Sequence, residues 1–356
     1  MKHTLILVFS FLFLNVQSQF QVDASQSLNW LIDSVLLGGG VSIQNATFNG
    51  QTNLDSTNQI GFFVAENNQD FPLNKGVIMA TGNIEVCIGP NDHTGTSLPT
   101  TNGISGDSDL EMLDPNVSYN DIAILEFDFI PDFENMIYTY VFGSEEYPEF
   151  VGSNFNDAFG FFVSGPGLSG PFSNGAQNVA TLPGSGDYVG INTVNESMND
   201  SLYVDNTIVG DSTQCEFDGY TVGLPVVFNV VPGETYHIKM VIGDAMDHAW
   251  DSGIFIKNQS FMSVAQLPTS LSENGNLNGK VFIGANPVVD ILNLNTSAQL
   301  LINGVTIYDL SGKIVEDQNF YSDTSIQMDI SGLKAGIYSV VIRTNEGLLT
   351  KKIVKE

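Results

Sequence analysis

Residues 141–163 read VFGSEEYPEFVGSNFNDAFGFFV and are the most informative segment of the chain. The runs YTYVFG at residues 138–143 and AFGFFV at residues 158–163 are as apolar as strands buried on both faces. Between them lie three glutamates, an aspartate, two asparagines and a proline. The stretch therefore predicts an acidic loop anchored on two core strands, an arrangement that suits a hard cation or a polar ligand.

Short apolar runs separated by Gly, Pro, Asn and Asp predict further strands in the first three quarters of the chain. These predicted strands cover residues 41–48, 60–65, 76–81, 122–130, 187–194, 220–230, 235–243 and 253–261. In residues 122–130, Ala123, Leu125, Phe127 and Phe129 fall on one face and the more polar positions on the other. The pattern predicts an all-β fold, an antiparallel β-sandwich or jelly roll.

One short helix is predicted at residues 24–37, where Leu28, Leu31, Ile32, Val35 and Leu36 have the spacing of a helical face. Asp23 or Ser25 is the expected N-cap, and the glycines at residues 38–40 end the helix.

The formal net charge of −29 excludes nucleic acid as a partner, because phosphates require a basic surface. Residues 19–278 contain 32 acidic residues against three lysines, whereas residues 279–356 contain 8 acidic and 7 basic residues. Two regions of such different charge predict two domains, joined by a polar linker at residues 265–278. The domains cover residues 19–264 and 279–356.

Residues 1–18 have the pattern of a secretory signal peptide, with an apolar segment too short to span a bilayer. No later stretch is long and apolar enough for a transmembrane helix, so we expect an exported mature chain without one.

Cys87 and Cys215 are the only cysteines. An exported protein favours a disulfide between them, and two buried free thiols are the alternative.

The candidate metal ligands carry side-chain oxygens and lie in the central loop or in GDAMDHAWDSG, directly before a predicted strand. They are Glu145, Glu146, Asn156, Asp157, Asp244, Asp247 and Asp251. Calcium takes six to eight such oxygens, so calcium is the candidate cofactor. The alternative is structural, with the loop carboxylates accepting hydrogen bonds from backbone N–H groups.

Tyr147, Phe150 and Trp250 lie among these carboxylates and are candidate ligand-binding aromatics. The long polar loop at residues 89–109 places further oxygens at Asn91, Asp92, Asp107 and Asp109.

Catalysis has weaker support. After removal of the signal peptide only His93, His237 and His248 remain, and His237 lies in a strand pattern that favours a structural role. HExxH and paired CxxC zinc patterns are absent from the sequence. Glu145 and Glu146 are neighbours on an extended chain and point to opposite faces, so they cannot form a glycosidase pair directly. Pairing of Glu146 with Asp157 or Asp251 stays open.

Several motifs resemble one family of bacterial surface domains. They include LLGGGVSIQNATFNG, GVIMATGNIEVCIGPN, LEFDFIP, YVFGSEEYPEFVGSNFNDAFGFFVSGPG and TYHIKMVIGDAMDHAWDSGIFIKNQSF. In this order, over about residues 26–261, they resemble the choice-of-anchor L domain. The resemblance implies an exported β-rich module upstream of a C-terminal surface anchor, without an established activity.

The last 78 residues resemble a second family. VVDILNL, GVTIYDLSGKIV, MDISGLKAGIYSVVIRTNEG and LTKKIVKE are similar in order to the type A sorting domain of Bacteroidota type IX secretion substrates. The family's aromatic-Pro-Asn-Pro opening is here Gly284-Ala285-Asn286-Pro287. The resemblance implies interaction with the type IX machinery and passage across the outer membrane. The alternating pattern of the same region independently predicts a small Ig-like sandwich.

Together these features predict a secreted or cell-surface binding module for adhesion to a glycan or protein ligand, with calcium as its cofactor. A carboxylate-dependent glycan hydrolase is the first alternative. A structural surface or matrix protein without a small ligand is the second.

Overall fold

The computed structural model describes residues 20–54, 57–65, 71–101, 103–183, 185–207, 215–265, 280–284, 286–296, 300–308, 314–344 and 347–356. The chain divides into two compact units, Met1–Gln266 and Leu267–Glu356, each with its own apolar core. The predicted signal peptide lies outside the described residues, as does the predicted linker apart from Ala265.

The first unit consists mainly of antiparallel strands. They are β1 (Gln21–Asp23), β2 (Val41–Phe48), β3 (Ile60–Val64), β4 (Lys75–Ala80), β5 (Tyr119–Pro131), β6 (Asn135–Ser144), β7 (Ala158–Ser164), β8 (Gln177–Asn178), β9 (Val189–Gly190), β10 (Tyr203–Asp205), β11 (Gly219–Thr221), β12 (Leu224–Asn229), β13 (Tyr236–Ala245), β14 (Ser252–Lys257) and β15 (Met262–Val264). One sheet has the order β1-β3-β4-β14-β6-β11-β10, with β12 and β15 also paired to β6; we call it the β6 sheet. The other, the β13 sheet, has the order β2-β5-β13-β7-β8, with β9 paired to β7.

The two sheets pack face to face around one core. In β5, Ala123, Leu125, Phe127 and Phe129 are fully buried in it, as their alternation predicts. Tyr138 of the β6 sheet stacks on Phe161 of the β13 sheet, with ring centroids 4.2 Å apart. Burial of these large side chains removes apolar surface from water and is the main term that stabilises such a sandwich. The predicted all-β antiparallel sandwich is confirmed.

The predicted N-terminal helix forms, but it is shorter than its pattern. It begins as α1 (Leu28–Trp30) and continues as a π-helical segment, Leu31–Leu36. All five residues of the predicted apolar face are buried. The N-cap is Ser27, whose hydroxyl accepts a hydrogen bond from the Trp30 N–H, whereas Asp23 accepts from the Ser25 N–H in the turn before the helix.

Other short helical segments occupy the loops. They are α2 (Ser108–Glu111) and the 3-10 turns Ile84–Cys87, Ser173–Gly175 and Asp200–Leu202. The first of these, α2, lies at the end of the predicted loop at residues 89–109 and is capped by the Asp107 carboxylate.

The strand predicted at residues 187–194 reduces to the two residues of β9. The rest of that segment is turn, because polar side chains hydrogen-bond to nearby backbone. The Thr193 hydroxyl is within donating distance of the Tyr188 and Gly190 carbonyl oxygens, and the Asn195 amide donates to the Ile191 carbonyl. The strand predicted at residues 220–230 is interrupted at residues 222–223 and gives β11 and β12.

The second unit is a small antiparallel sandwich. Its strands are β16 (Val281–Ile283), β17 (Ile291–Thr296), β18 (Ile302–Tyr308), β19 (Ile314–Asp323), β20 (Ser325–Asp329), β21 (Gly336–Thr344) and β22 (Gly347–Lys355). They form a sheet of order β16-β17-β20 and one of order β19-β18-β21-β22. Leu292 and Leu294 of the first sheet share a core with Val340 and Ile342 of the second, which confirms the predicted small β-sandwich. Across the described residues of both units, no helix has the length and apolar character needed to span a bilayer.

Candidate functional site: carboxylates at the strand ends

The ends of four strands bring the predicted site residues together. The loop at residues 145–157 leaves the β6 sheet at Ser144 and enters the β13 sheet at Ala158. Ser144 pairs with Ser252, the first residue of β14. The Ser252 hydroxyl then crosses to the other sheet and donates to Asp157 Oδ2 over 2.6 Å. The loop is therefore tied at its base to both layers of the sandwich.

Asp157 and Asp244 lie opposite each other at the end of the β7–β13 ladder. Gly243 pairs with Ala158, so the next two residues outward on the antiparallel strands are Asp244 and Asp157. Residues opposite each other on paired antiparallel strands have side chains on the same face of the sheet, so the two negative charges repel. A bulge in β5 at Asp121, which has a φ of 45°, shifts the register on the other side of Asp244.

Glu146 and Asp247 complete what we call the β7/β13 cluster: Glu146, Asp157, Asp244 and Asp247. Asp157 and Asp244 are 0% exposed, and Glu146 is 1% exposed. The pKa values of Glu146 and Asp244 are far above those of ordinary carboxyl groups. Burial is the largest cause, and repulsion from neighbouring carboxylates is the next. Burial also raises the pKa of Asp157 to about 7, although the Ser252 hydroxyl and the Ala245 N–H both donate to it.

Unlike Asp157, the buried carboxylates of Asp244 and Glu146 have oxygens that receive no hydrogen bond from the described residues. Among the described residues, neither Asp244 Oδ1 nor Asp244 Oδ2 has a hydrogen-bond partner, and Glu146 Oε2 has none either. In the same part of the chain, no ion pair joins a Lys, Arg or His to Glu146, Asp157 or Asp244. A buried carboxylate without a partner loses its hydration and gains nothing in return, which is a large free-energy cost.

Asp251 lies beside the cluster but has its own donor. The Leu98 N–H donates to Asp251 Oδ2 over 2.7 Å, and burial raises the pKa of Asp251 to about 7. Its negative charge in turn contributes to the raised pKa values of Asp157 and Asp244. Asp251 is thus close enough to act with the β7/β13 cluster.

The side chain of Asn156 faces elsewhere. Its amide nitrogen donates to Asp114 and to the Tyr188 hydroxyl, and its oxygen accepts from the Asn192 N–H. These bonds hold the loop against the segment at residues 188–195. The Asn156 oxygen is therefore used within the loop and does not join the carboxylates with which it was predicted to bind a metal.

The neighbouring Glu145 and Glu146 serve different clusters, as expected for adjacent residues on an extended chain. Ser144 pairs with Gly219 as well as with Ser252, which places Asp218 and Asp251 beside Glu145 on its two sides. Burial and the charge of Asp218 raise the pKa of Glu145 to about 10. Glu145 therefore belongs to a second group, the β6/β11 cluster, formed by Asp92, His93, Glu145, Glu216 and Asp218.

Glu216 and Asp218 were not predicted as site residues. They precede β11, which the sequence pattern showed only as part of a longer strand. Their proximity to Glu145 follows from the pairing of β11 with β6, which no local pattern indicates.

The predicted ligand-binding aromatics separate into a buried one and two accessible ones. Tyr147 is 0% exposed and donates through its hydroxyl to the Val194 carbonyl, so it supports the loop from inside and cannot contact a ligand. Phe150 and Trp250 are partly exposed and touch edge to face, with ring centroids 4.7 Å apart. Phe155 packs against Phe150 at 4.9 Å. We call Phe150, Phe155 and Trp250 the aromatic patch.

Two other groups singled out in the sequence take structural roles. Asp107 and Asp109 both form ion pairs with Lys239, which compensates one of their two negative charges. Cys87 and Cys215 are free and fully buried, so the predicted disulfide is absent from the structure. Both thiols lie in one apolar cluster, where Cys behaves as a small hydrophobic side chain, and burial raises both pKa values.

Comparisons with known families agree with this architecture. Residues 18–262 match the family described as the choice-of-anchor L domain. Residues 285–356 match the secretion system C-terminal sorting domain.

No curated protein matches the chain. Among solved structures, it is similar to a biofilm-associated protein, BSP domain, with 9% sequence identity and a TM-score of 0.18. That match covers 77% of this chain, and the chain spans 54% of the length of the solved structure.

Proposed function

The chain belongs to the choice-of-anchor L domain family, and from this membership we propose a surface-binding module whose central loop is organised by a calcium ion. The C-terminal sorting domain directs the protein out of the cell or to its surface. In our proposal, calcium binds the β7/β13 cluster and fixes the loop at residues 145–157, which presents the aromatic patch to a glycan or protein ligand.

One observation carries the calcium proposal: both carboxylate oxygens of Asp244 are buried and lack a partner among the described residues. Glu146 adds a further buried oxygen without a described partner. A cation in their midst would supply the missing interactions and remove the repulsion between Asp157 and Asp244.

The chemistry of the donors favours calcium over other metals at this cluster. Every side chain of the β7/β13 cluster offers carboxylate oxygen, the ligand type of hard cations. Calcium accepts irregular sets of six to eight oxygens, whereas magnesium requires a near-ideal octahedron. Backbone carbonyls of the loop can supply the remaining ligands.

The same burial favours binding over hydrolysis. A glycosidase needs two carboxyl groups that reach the two sides of a sugar. Asp157 and Asp244 are 0% exposed, so a glycosidic bond cannot approach them without opening the fold. The partly exposed Phe150 and Trp250 instead offer apolar faces of the kind that contact sugars and protein side chains.

Calcium titration of thermal unfolding tests the proposal. The protein is first stripped of divalent cations with a chelator, and its melting temperature is then followed as calcium is added. At about 100 times the Kd, a ligand specific to the native state adds about 2.7 kcal/mol, which corresponds to a Tm rise of roughly 5–10 °C. An unchanged Tm at millimolar calcium would show that the β7/β13 cluster holds no calcium.

Ligand binding needs a separate experiment. A glycan array screened with the calcium-loaded protein should give hits that Phe150→Ala and Trp250→Ala both weaken. Release of reducing sugar from the same glycans would instead identify a hydrolase. Retention of every hit in both variants would place the binding surface elsewhere.

A further inference from the structure

The β6/β11 cluster is distinct from the proposed calcium site. Its centre is Thr96, whose N–H donates to Glu145 Oε2 over 3.1 Å and whose hydroxyl donates to Glu216 Oε1 over 3.0 Å. Thr96 thereby holds two buried glutamates from different segments side by side. Their mutual repulsion contributes to the raised pKa of Glu145.

Three ligand atoms of this cluster converge on one point. Asp92, His93 and Glu216 each offer a ligand atom within 4.8 Å of the other two, and His93 Nδ1 pairs with Asp92 Oδ1. His93 Nδ1 is 3.6 Å from Glu216 Oε1. Ligand atoms about 2.0–2.2 Å from one tetrahedral metal are roughly 3.3–3.6 Å from one another, so small rotations of the side chains are enough to complete the set. The side chains of His93 and Asp92 are 71% and 64% exposed and are free to make them.

A second, independent observation concerns two buried carboxylates of the same cluster, Asp218 and Glu145. Asp218 is 2% exposed, and its Oδ2 has no hydrogen-bond partner among the described residues. Its other oxygen accepts from the Asn91 amide over 2.6 Å, which fixes the orientation of the carboxylate. Glu145 is 0% exposed, and within the described chain its Oε1 is likewise without a partner.

Asp218 lines the same cavity as His93. A cavity of about 290 Å³ is lined by Asp218, Asp92 and His93, together with residues of the loops at 91–94 and 148–149. A buried carboxylate thus forms one wall of the cavity and the imidazole another. The cavity is large enough for a metal ion and for water or an external donor group.

We propose that the β6/β11 cluster is a second metal centre, which binds a transition-metal dication of the zinc type through His93, Asp92 and Glu216, with Asp218 as a further carboxylate ligand. The imidazole distinguishes it from the all-oxygen β7/β13 cluster, because nitrogen donors favour zinc and similar metals over calcium. The cavity leaves room on the metal for a donor atom from outside the chain.

The other described histidines show why this arrangement is specific. His237 also lies beside two carboxylates, but Asp128 is near its Nδ1 at 2.9 Å and Glu126 is near its Nε2 at 3.4 Å. These carboxylates are at different ring nitrogens, so they cannot share one metal with the imidazole. His248 forms an ion pair with Asp121 and has no third ligand atom in such a group among the described residues.

Zinc titration of the full chain by calorimetry, in saturating calcium, tests the proposal. One equivalent of zinc should bind the wild-type protein. His93→Gln and Asp218→Asn should each weaken binding by at least about tenfold, since loss of even an outer-shell partner costs 10–100-fold. His237→Gln is the matched control and should bind zinc as tightly as the wild type. Asp244→Asn should keep zinc binding while losing the calcium response.

Cobalt substitution gives a second readout that does not depend on affinity. The visible spectrum of bound Co²⁺ should change in His93→Gln, because one nitrogen donor is lost, and should stay unchanged in His237→Gln. His93 is largely exposed, so its replacement should leave the fold intact, as circular dichroism can verify. Equal zinc affinity in His93→Gln and wild type, or no zinc binding by the wild type, would overturn the proposal.

Discussion

At the residue scale, Asp244 has the most unfavourable surroundings of any carboxylate in the β7/β13 cluster. It is fully buried, and neither of its oxygens has a partner among the described residues. Its contribution to stability should therefore change sign with the cation. With calcium bound it is a ligand, and without calcium it is an uncompensated buried group.

The variant Asp244→Asn should show this reversal. In chelator we expect it to be more stable than the wild type by roughly 1–3 kcal/mol, the order of the cost of an unsatisfied buried polar group. In calcium the order should invert, because the variant cannot gain the ligand's stabilisation. Urea unfolding of both proteins in both conditions measures the difference.

Asp109→Asn is the matched control for this experiment. Asp109 is equally buried, but it forms an ion pair with Lys239. Asp109→Asn removes one of the two carboxylates paired with Lys239, so this variant should lose stability with and without calcium. If Asp244→Asn behaved in the same way as Asp109→Asn, the unpartnered carboxylate would not be a cation ligand.

Asp157 and Asp251 give the cation-free protein a characteristic pH dependence. The pKa of each is raised to about 7 in the folded state, from about 3.9 in the unfolded chain. Between these values the folded state holds protons that the unfolded state has released. The free energy of unfolding should therefore fall as pH rises from about 4 to about 7, by up to about 1.4 kcal/mol per pH unit for each group.

Calcium should oppose this loss, because it binds the deprotonated carboxylates. Melting temperatures recorded from about pH 5 to about pH 8, in chelator and in millimolar calcium, should diverge as the pH rises. Parallel curves in the two conditions would contradict the prediction.

Residue patterns gave part of the site in advance. The opposite orientation of Glu145 and Glu146 follows from strand geometry alone. Asp157 and Asp244 were grouped by residue type, and the β7–β13 register explains why they face each other. Glu216 and Asp218 could not be found in this way, since they are more than 70 positions from Glu145 in the sequence and reach it only through the β6–β11 pairing.

At the element scale, strands with one purely apolar face were predictable and turn-forming segments were not. The alternation in β5 defined its buried face correctly because period 2 is imposed by the backbone itself. Residues 187–194 also contain the apolar residues Tyr188, Val189 and Ile191, but Asn and Thr side chains hydrogen-bond to the local backbone and produce turns instead. The helix lies in the predicted segment, but it begins at Leu28 and not at residue 24, because several candidate N-caps lie close together in the sequence.

The loop between β13 and β14 contains backbone conformations that depend on side-chain contacts. Met246 and Trp250 have φ values of 79° and 67°, in the left-handed region that is unfavourable for bulky residues. The Trp250 indole lies against Gly95: a Cβ atom placed on Gly95 would be 2.4 Å from Trp250 Cε2. The absence of a side chain at Gly95 thus leaves room for the indole of Trp250, one of the three members of the aromatic patch.

Gly95→Ala should displace Trp250 and weaken ligands that bind the aromatic patch, with the calcium response retained. In a Trp30→Phe background Trp250 is the single tryptophan, so its fluorescence emission reports the displacement. Gly175→Ala is the matched control, since Gly175 also has a positive φ but open space around its Cα. Equal emission spectra for the two variants would show that the Gly95 contact does not position the indole.

At the scale of the whole molecule, the two units have separate apolar cores and separate sheets. Removal of residues 279–356 should therefore leave the first unit folded, with its calcium-dependent Tm preserved. The truncated protein should fail to reach the cell surface, because the sorting domain has been deleted. Cell fractionation and thermal unfolding measure the two effects, and surface delivery of the truncated protein would contradict the assigned role of the second unit.

Because Glu145 and Glu146 belong to different clusters, the loop should be sensitive to insertions. Ser144 is fixed by pairing with both β11 and β14, so the first glutamate after it faces the β6/β11 cluster and the second faces the β7/β13 cluster. Inserting one residue after Ser144 would present each glutamate to the wrong partners, although the composition of the loop would hardly change. This position should consequently tolerate conservative replacements far better than a change in chain length.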